Sequence, residues 1–376
     1  MEELTFVIDI KKSGDSCKKF DGVKKYIATA DIIDDEIVGY TEVTYDNKPS
    51  RANVVAKPGD VLFAKMQNTI KVIVVDEETC NYIYSTGFYC ISDERFLPKF
   101  LKCYFMSKTF NDKKDKNCNG ATMKALSDEG FKKIKLPLIP KEIQQRIIDE
   151  YIALSASIKN KKNQINVFDE LIKSQFIEMF GDPTINNMLW SKEKLSTNCT
   201  IITGNTPPRA HEDNYGTFIE WIKTDNILEN VPYPTKAKEF LSEIGLEIGR
   251  SAPEKSILMV CIAGSINSIG RVCILDRKVA FNQQINSIIS ENYNMKFLLY
   301  LLKMSKEFLV SDVNMALKGI LSKSMLENKS FIVPPRPLQD QFAAIVEQID
   351  KSKSILQKQI DFLQELLDSK MQEYFG

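Results

Sequence analysis

Histidine is almost missing from this sequence, since His211 is the only one in 376 residues. Zinc sites need histidine or closely paired cysteines, and no two of the 8 cysteines form a C-x-x-C pair. No spacing identifies partners for a catalytic triad or a metal site built on His211. The composition therefore argues against the common histidine-dependent enzymes, and we expect the cysteines to be buried, reduced thiols.

Long apolar runs and an excess of positive charge are also missing. No segment approaches the roughly 18 consecutive apolar residues of a membrane span, and residues 1–16 lack the apolar stretch of a signal peptide. We therefore predict a cytoplasmic protein. The 50 basic and 50 acidic residues give a net charge of zero, whereas simple nucleic-acid-binding proteins usually have a pI above about 9. Any nucleic-acid contact must depend on local basic patches, or on positive charge from other subunits of a complex.

What the sequence does contain is an internal repeat. Residues 139–181 and 334–376 both open at prolines, carry glutamine in the first turn, continue as a charged helical pattern and end at Phe-Gly. Gly376 lies 195 residues after Gly181, and the same offset matches Ile143 to Leu338 without a gap. These segments are two copies of one predicted long helix.

The apolar positions of each copy are spaced 3, 4 and 4 residues apart, as in a coiled-coil seam. Two such helices can bury both seams by pairing, and the duplicated order makes the pair antiparallel. At 1.5 Å per residue each helix would be about 50 to 60 Å long, so we predict a helical spacer. The seam positions are Ile165, Phe168, Ile172 and Phe176 in the first copy, and Ile360, Leu363, Leu367 and Met371 in the second.

The segments between the helices favour short strands, because β-branched and aromatic runs alternate with turn residues. Residues 221–227 lie 195 after residues 26–32, so the repeat includes these segments. Residues 97–110 have helical spacing, and residues 111–124 are polar enough to predict a solvated loop. The predicted fold class is α+β, in which two strand-rich domains are separated by two long antiparallel coiled-coil helices in a pseudo-two-fold repeat. The predicted domains are 1–138 and 182–333, and the predicted helices are 139–181 and 334–376.

The chain resembles the specificity subunit of a type I restriction-modification system. The resemblance covers nearly all of it and depends on the duplicated plan and on motifs at 180–183, 263–272, 282–285 and 334–341. It implies a non-catalytic, double-stranded-DNA reader whose two target-recognition domains each read one half of a bipartite, asymmetric site. It also implies two methyltransferase subunits as partners, which would hold S-adenosylmethionine and methylate adenine, with restriction subunits as further possible partners.

Base-reading side chains are arginine and lysine for guanine, and asparagine and glutamine for adenine. Residues of these types, with neighbouring hydroxyls, are therefore the candidate DNA contacts. In the first domain they are Lys24, Lys25, Thr29, Lys65, Gln67, Asn68, Lys71, Thr86 and Lys124. In the second they are Thr203, Asn205, Thr206, Arg209, Lys223, Thr224, Asn226, Ser265, Asn267, Arg271, Asn282, Gln283 and Gln284.

The sequence gives no indication of its own catalysis. An adenine methyltransferase needs an Asn/Asp-Pro-Pro-aromatic tetrad for the flipped base, whereas Thr206-Pro-Pro-Arg209 and Val333-Pro-Pro-Arg336 lack both end residues. Two alternatives remain open beside the specificity subunit. One is the recognition part of a related, fused restriction system, and the other is a coiled-coil scaffold that joins proteins without binding DNA.

Overall fold

The computed structural model describes residues 6–7, 10, 12–120, 123–229, 231–315 and 319–376. The chain divides into two compact units: unit 1 comprises Met1–Asn163 with Leu356–Gly376, and unit 2 comprises Gln164–Ile355. Each unit is strand-rich and contains half of each long helix. The predicted α+β class is therefore confirmed.

Unit 1 contains two main sheets. The larger has the strand order β2-β7-β10-β3-β6 and the smaller β11-β8-β9, and β3 runs parallel to β10. The strands are β1 (Phe6–Val7), β2 (Asp15–Ser16), β3 (Lys24–Ile27), β4 (Ile32–Ile33), β5 (Glu36–Ile37), β6 (Thr41–Val43), β7 (Ala52–Val55), β8 (Val61–Ala64), β9 (Val72–Val74), β10 (Ile83–Ser85), β11 (Phe88–Ile91), β12 (Cys118–Asn119), β13 (Ala125–Leu126) and β14 (Leu136–Pro137). The helices that follow them in this unit are α1 (Pro98–Met106), α2 (Lys108–Lys116) and α3 (Asp128–Lys132).

The single helix predicted at 97–110 is wrong, because the chain breaks at Ser107 between α1 and α2. Ser107 has extended backbone angles, and its hydroxyl caps α2 by accepting a hydrogen bond from the Phe110 N–H at 3.2 Å. The loop predicted at 111–124 is also wrong for its first six residues, which are helical. Asn111 and Lys114 are buried there, because their side chains donate to backbone carbonyls of Phe105 and Thr69. Internal hydrogen bonds thus make this polar stretch part of the core.

The first long helix, α4 (Lys141–Phe180), has 40 residues and is about 60 Å long. Unit 2 follows. Its strands are β15 (Lys192–Lys194), β16 (Thr200–Thr203), β17 (Tyr215–Ile222), β18 (Phe240–Leu241), β19 (Ser251–Ala252), β20 (Ile257–Val260), β21 (Val272–Ile274), β22 (Val279–Phe281), β23 (Ile285–Ile289) and β24 (Ser330–Ile332). Its helices are α5 (Leu195–Asn198), α6 (Glu243–Ile248), α7 (Met295–Met304), α8 (Lys306–Val310) and α9 (Lys323–Asn328), and the second long helix is α10 (Arg336–Phe375).

The topology of unit 1 recurs in unit 2. Strands β17 and β22 are parallel, as β3 and β10 are, and the order β23-β20-β21 repeats β11-β8-β9. A 3₁₀ turn follows the first strand of each parallel pair, at Thr29–Asp31 and at Thr224–Asn226, which are 195 residues apart. The repeat predicted from the helices is therefore present in the sheets.

The two long helices run antiparallel within each unit. In unit 1, the Lys161 ammonium donates to Gln359 at 2.6 Å and the Tyr374 hydroxyl donates to Glu150 at 2.9 Å. In unit 2, Lys353 pairs with Asp169 of the other helix at 2.6 Å. Residue numbers rise along one helix as they fall along the other, as the predicted antiparallel pair requires.

In unit 2, a seam residue also packs against a helix of the domain. Phe176 is fully buried and lies 5.6 Å from Phe297 of α7 and 5.4 Å from Phe342 of α10, measured between ring centres. Phe176 therefore packs against both α7 and the other long helix. Of the predicted seam positions, Ile172, Phe176, Ile360, Leu367 and Met371 are buried, whereas Ile165, Phe168 and Leu363 are half-buried.

Within the described residues, no helix combines the length and the apolar character that crossing a membrane requires.

Candidate functional site

Four strands of unit 2 end at one edge. The parallel strands β17 and β22 end side by side, since the Asn282 N–H donates to the Ile222 carbonyl at 3.1 Å. Strands β16 and β20 end on either side of the start of β23, where Thr203 pairs with Asn286 and Val260 with Ile285. We call this end of the sheets the strand-end edge of unit 2. Most of the second domain's candidate DNA contacts lie along it.

The loop at residues 204–209 is held against this edge by its backbone. The N–H groups of Gly204 and Asn205 donate to the carbonyls of Ile285 and Phe281 at 3.0 and 3.2 Å. A Cβ atom at position 204 would collide with the carbonyl oxygens of Phe281 and Asn282, so only glycine permits this approach. The loop therefore presents its side chains from a fixed backbone.

Arg209 and Lys223 place two positive charges close together at this edge. The Arg209 guanidinium lies 4.6 Å from the ring centre of Tyr215 and 5.2 Å from that of Trp221, and the Lys223 ammonium lies 4.9 Å from Trp221. Glu239 accepts hydrogen bonds from both cations, at 2.6 Å from Arg209. Hydrogen bonds from Lys223 and then Arg209 lower the pKa of Glu239, so this carboxylate is ionised at neutral pH. We call these five residues the unit 2 cation cluster.

Several predicted base readers use their polar groups within the chain. Asn226 is buried, accepts the Lys223 N–H at 3.0 Å and donates to Thr235 at 3.1 Å. Its equivalent in unit 1, Asp31, accepts the Ala28 N–H at 2.8 Å in the same turn. This position stabilises the turn in both units.

The other amide side chains at this edge differ in burial and in the hydrogen bonds that they form within the chain. Asn282 is buried, and its amide bonds both the side chain and the backbone N–H of Gln284 at 3.1 Å. Asn205 donates to the Ile248 carbonyl at 2.7 Å. Gln283 is exposed and accepts a hydrogen bond from Thr206. Gln283 and Thr206 are both exposed and therefore accessible to a ligand, while Thr203 and Thr224 are half-buried.

The remaining candidates of unit 2 lie around the 3₁₀ turn Ile266–Ser268. Ser265 and Asn267 are exposed. Arg271 donates to the Ser268 carbonyl at 3.2 Å and lines a cavity of about 350 Å³. Burial lowers the pKa of Lys303, which lies in the wall of the same cavity. Arg271 thus lines this cavity together with residues of α7 and is not a member of the cation cluster.

Unit 1 has an equivalent strand-end edge, where β3, β8 and β10 end. Backbone hydrogen bonds join Lys65 to Gly87 at 2.9 Å and Gln67 to Lys124 at 3.0 Å. The Lys71 ammonium donates to the Thr29 carbonyl at 2.6 Å. This edge brings together six of the candidates: Thr29, Lys65, Gln67, Lys71, Thr86 and Lys124.

The other three candidates of unit 1 lie elsewhere or have local roles. Lys24 and Lys25 are at the opposite end of β3, where Lys24 lies over Phe20 and Lys25 donates to the Tyr82 hydroxyl at 3.2 Å. Asn68 has a φ of 56°, in the left-handed region that asparagine tolerates, and it belongs to the turn before β9.

Sequence reasoning missed the acidic members of both edges. At the unit 1 edge the Lys12 and Lys65 ammonium groups each lie 4.4 Å from the ring centre of Tyr89. Asp128 pairs with Lys12 and accepts the Tyr89 hydroxyl at 2.6 Å. We call these four residues the unit 1 cation cluster. No motif marks Asp128 or Glu239, because each meets its partners only through the fold.

The described residues hold no group of three or more histidine, cysteine, aspartate or glutamate side chains able to bind a metal ion.

Comparisons with known proteins agree with this duplicated architecture. Residues 7–167 and 188–365 match the family described as "Type I restriction modification DNA specificity domain". The chain is 23% identical over 300 residues to the type I restriction enzyme MjaIX specificity subunit of Methanocaldococcus jannaschii, covering 74% of this chain and 68% of that protein. It is 22% identical over 354 residues to the HindI specificity subunit of Haemophilus influenzae, covering 73% and 76%.

Two solved structures share the fold. A chain from a study of complex assembly and conformational transition of the type I R-M system has a TM-score of 0.62 at 19% identity, with 100% of this chain and 98% of that chain covered. The type I restriction-modification S subunit of M. genitalium has a TM-score of 0.51 at 14% identity, with 100% and 97% covered. Because the family match extends through most of both units, this chain belongs to the type I restriction modification DNA specificity family.

Proposed function

We propose that the chain is the DNA sequence-recognition subunit of a type I restriction-modification enzyme. Each strand-end edge reads one half of a bipartite target in double-stranded DNA. The observation that carries this proposal is the recurrence of one edge, on one topology, with different side chains. Unit 1 presents Lys65 and Lys124, whereas unit 2 presents Arg209 and Gln283. Because different side chains occupy equivalent edges of the two units, the two half-sites are expected to differ in sequence.

The chain acts without catalysing methyl transfer. Two methyltransferase subunits bind S-adenosylmethionine, flip the target adenine and methylate it, and restriction subunits join them for cleavage. Exposed apolar side chains on the long helices, which include Ile152 and Phe362 in unit 1 and Val167 and Ile355 in unit 2, support such protein contacts. Half-site spacing follows protein geometry in DNA-binding dimers, and the helices shared by both units support a fixed gap here.

The test is to map methylated adenines in the genome of the source organism with and without this gene. We expect one bipartite, asymmetric motif to lose methylation when the gene is deleted and to regain it on complementation. An unchanged methylation map would contradict the proposal.

The scaffold alternative is tested by binding. The chain with its methyltransferase partner is titrated with a duplex that contains the mapped motif and with one that lacks it. A preference for the motif supports recognition. Equal affinity, or no effect of either duplex, supports a scaffold that joins proteins.

A further inference from the structure

We propose that Glu239 and Asp128 hold the cations of the two strand-end edges and thereby weaken binding to DNA that lacks the target sequence. This inference rests on the proposed function and assigns a role to two acidic residues within it. A phosphate must displace the carboxylate from its cations before it can bind them. Correct base contacts offset that cost only at the target.

In unit 2, Glu239 is held in a fixed position next to the two cations. Arg209 and Lys223 approach Trp221 and share Glu239 as their acceptor. Trp221 is buried, and its backbone N–H donates to the Glu239 carbonyl at 3.0 Å, so acid and ring are fixed to each other. The loop that carries Arg209 is fixed as well, because the Tyr215 hydroxyl donates to the Pro207 carbonyl at 2.7 Å. The carboxylate is thus built into the frame that presents the cations.

Unit 1 has a similar arrangement of other residues, in which the carboxylate forms its ion pair with Lys12. Lys12 and Lys65 lie over the single ring of Tyr89, and Asp128 holds Lys12 through an ion pair and Tyr89 through a hydrogen bond. Burial and then the neighbouring Lys12 charge lower the pKa of Lys65, so the two cations are crowded. A nearby carboxylate stabilises such a pair in the absence of DNA.

The repeat does not explain the likeness of the two clusters. The residue 195 positions before Glu239 is Thr44, and the residue 195 positions after Asp128 is Lys323. The two acidic residues therefore do not occupy equivalent positions of the internal repeat. Basic and acidic residues are also equal in number in the whole chain, with 50 of each.

The physical consequence concerns the salt-dependent part of binding. Each phosphate that a protein cation neutralises makes log Kobs against log salt steeper by about 0.9. A cation that keeps its carboxylate releases no counterion from DNA. Non-specific affinity, which comes almost entirely from this term, is therefore reduced more than specific affinity, which also includes base contacts.

The experiment compares Glu239→Gln with wild type, using full-length chain bound to its methyltransferase partner. Dissociation constants are measured from about 50 to 200 mM salt for a duplex with the mapped motif and for one without it. The matched control is Glu347→Gln, which removes one negative charge from an exposed ion pair with Lys351 on α10. We expect Glu239→Gln to tighten non-specific binding about five- to tenfold at low salt and to steepen its salt slope by about one. The control should change neither.

Two results would overturn the inference. The first is an unchanged non-specific affinity and slope in a Glu239→Gln chain that folds as wild type by circular dichroism. The second is a loss of motif affinity alone, which would make Glu239 a direct reader of a cytosine amino group. If wild type itself shows no preference for the motif, the proposed function fails, and that outcome is separate from both.

Asp128→Asn provides an independent variant in the other unit. Its control is Asp112→Asn, which breaks the exposed i,i+4 pair with Lys108 on α2. Asp128→Asn should also steepen the non-specific salt slope by about one. If neither Asp128→Asn nor Glu239→Gln changes that slope, the carboxylates do not restrain the cations.

Discussion

Gln144 and Gln339 have the same role 195 residues apart. Each is buried in the first turn of a long helix, and each side-chain carbonyl accepts the backbone N–H just before a domain helix. The partners are Leu97 before α1, at 2.7 Å, and Asn294 before α7, at 2.9 Å. Both amides also donate to the carbonyl five residues earlier, at 2.7 and 2.8 Å. These glutamines therefore attach each long helix to its own domain.

Replacing either glutamine should destabilise its unit. Gln339→Leu leaves two buried backbone groups unpaired, and we expect a loss of roughly 2–6 kcal/mol because each such group costs about 1–3 kcal/mol. Gln144→Leu should cost a similar amount. The controls are Gln341→Leu and Gln145→Leu, which are exposed neighbours on the same turns. Urea denaturation measures the difference, and equal midpoints for buried and exposed variants would contradict this role.

Phe375 should be the main apolar anchor of α10 in unit 1. Its ring is buried, 5.1 Å from Tyr104 and 5.6 Å from Phe100 between ring centres. Phe375→Ala should cost about 3–5 kcal/mol because it leaves a cavity against α1. Phe362→Ala on the same helix should stay within about 0.5 kcal/mol, since that ring is 64% exposed. Thermal and urea unfolding of both variants test the contrast.

A fixed gap in the target predicts strict spacing. Inserting or deleting one base pair between the mapped half-sites should abolish methylation, because both edges could not then contact their half-sites together. Methylation of a duplex series that differs only in the gap measures this. Equal methylation at several gap lengths would exclude the helices as a spacer.

Arg209→Ala should weaken binding to the second domain's half-site. A single arginine contact to a base or phosphate contributes about 1–3 kcal/mol, which corresponds to roughly a 5- to 150-fold loss of affinity. The sequence predicts a loss in the same direction for Arg271→Ala, although Arg271 lines the cavity beside α7 and is not a member of the cation cluster. Substitutions in the second half-site distinguish the domains, since the preference for the first half-site should remain. Normal methylation rates in both variants would remove these residues from the interface.

The buried thiols predict how stability depends on pH. Burial raises the pKa of Cys261 and of Cys273 to about 12, from 9.0 for a free thiol. Between these values the unfolded chain has lost the protons that the folded chain keeps, so stability falls as pH rises above about 9. Urea midpoints near pH 8 and pH 10 measure the fall. The fall should be smaller when both cysteines are replaced by alanine.

The sequence was sufficient to predict the internal repeat and the long helices. It did not reveal side-chain pairs between residues that are far apart in the sequence. The helices were predictable because apolar spacing is local, as Ile172 and Phe176 illustrate. The turn role of Asn226 was not, because its amide type also suits adenine, and only its burial decides between the two uses. Glu239 was missed because its cations lie 16 and 30 residues away. Within the candidate site, the positions of residues at strand ends were predictable. Which of their side chains form hydrogen bonds within the chain was not.

Hydrogen-bond partners outside the segment also explain why α2 was predicted wrongly. Asn111 and Lys114 belong to polar residue types that favour loops, and their burial depends on carbonyls from Phe105 and Thr69. The Thr69 carbonyl is 45 residues away in sequence. Local composition contains no information about such partners.

Unit 1 closes with residues from the far end of the chain. The Thr109 hydroxyl donates to Gln372 at 2.7 Å, and the Lys113 ammonium donates to the Phe375 carbonyl at 3.2 Å. Ribosomes deliver a chain from its first residue, and domains usually fold in that order. Here unit 2, which is contiguous from Gln164 to Ile355, is fully synthesised while α2 of unit 1 still lacks Gln372 and Phe375. The unit translated first is therefore the last to be completed.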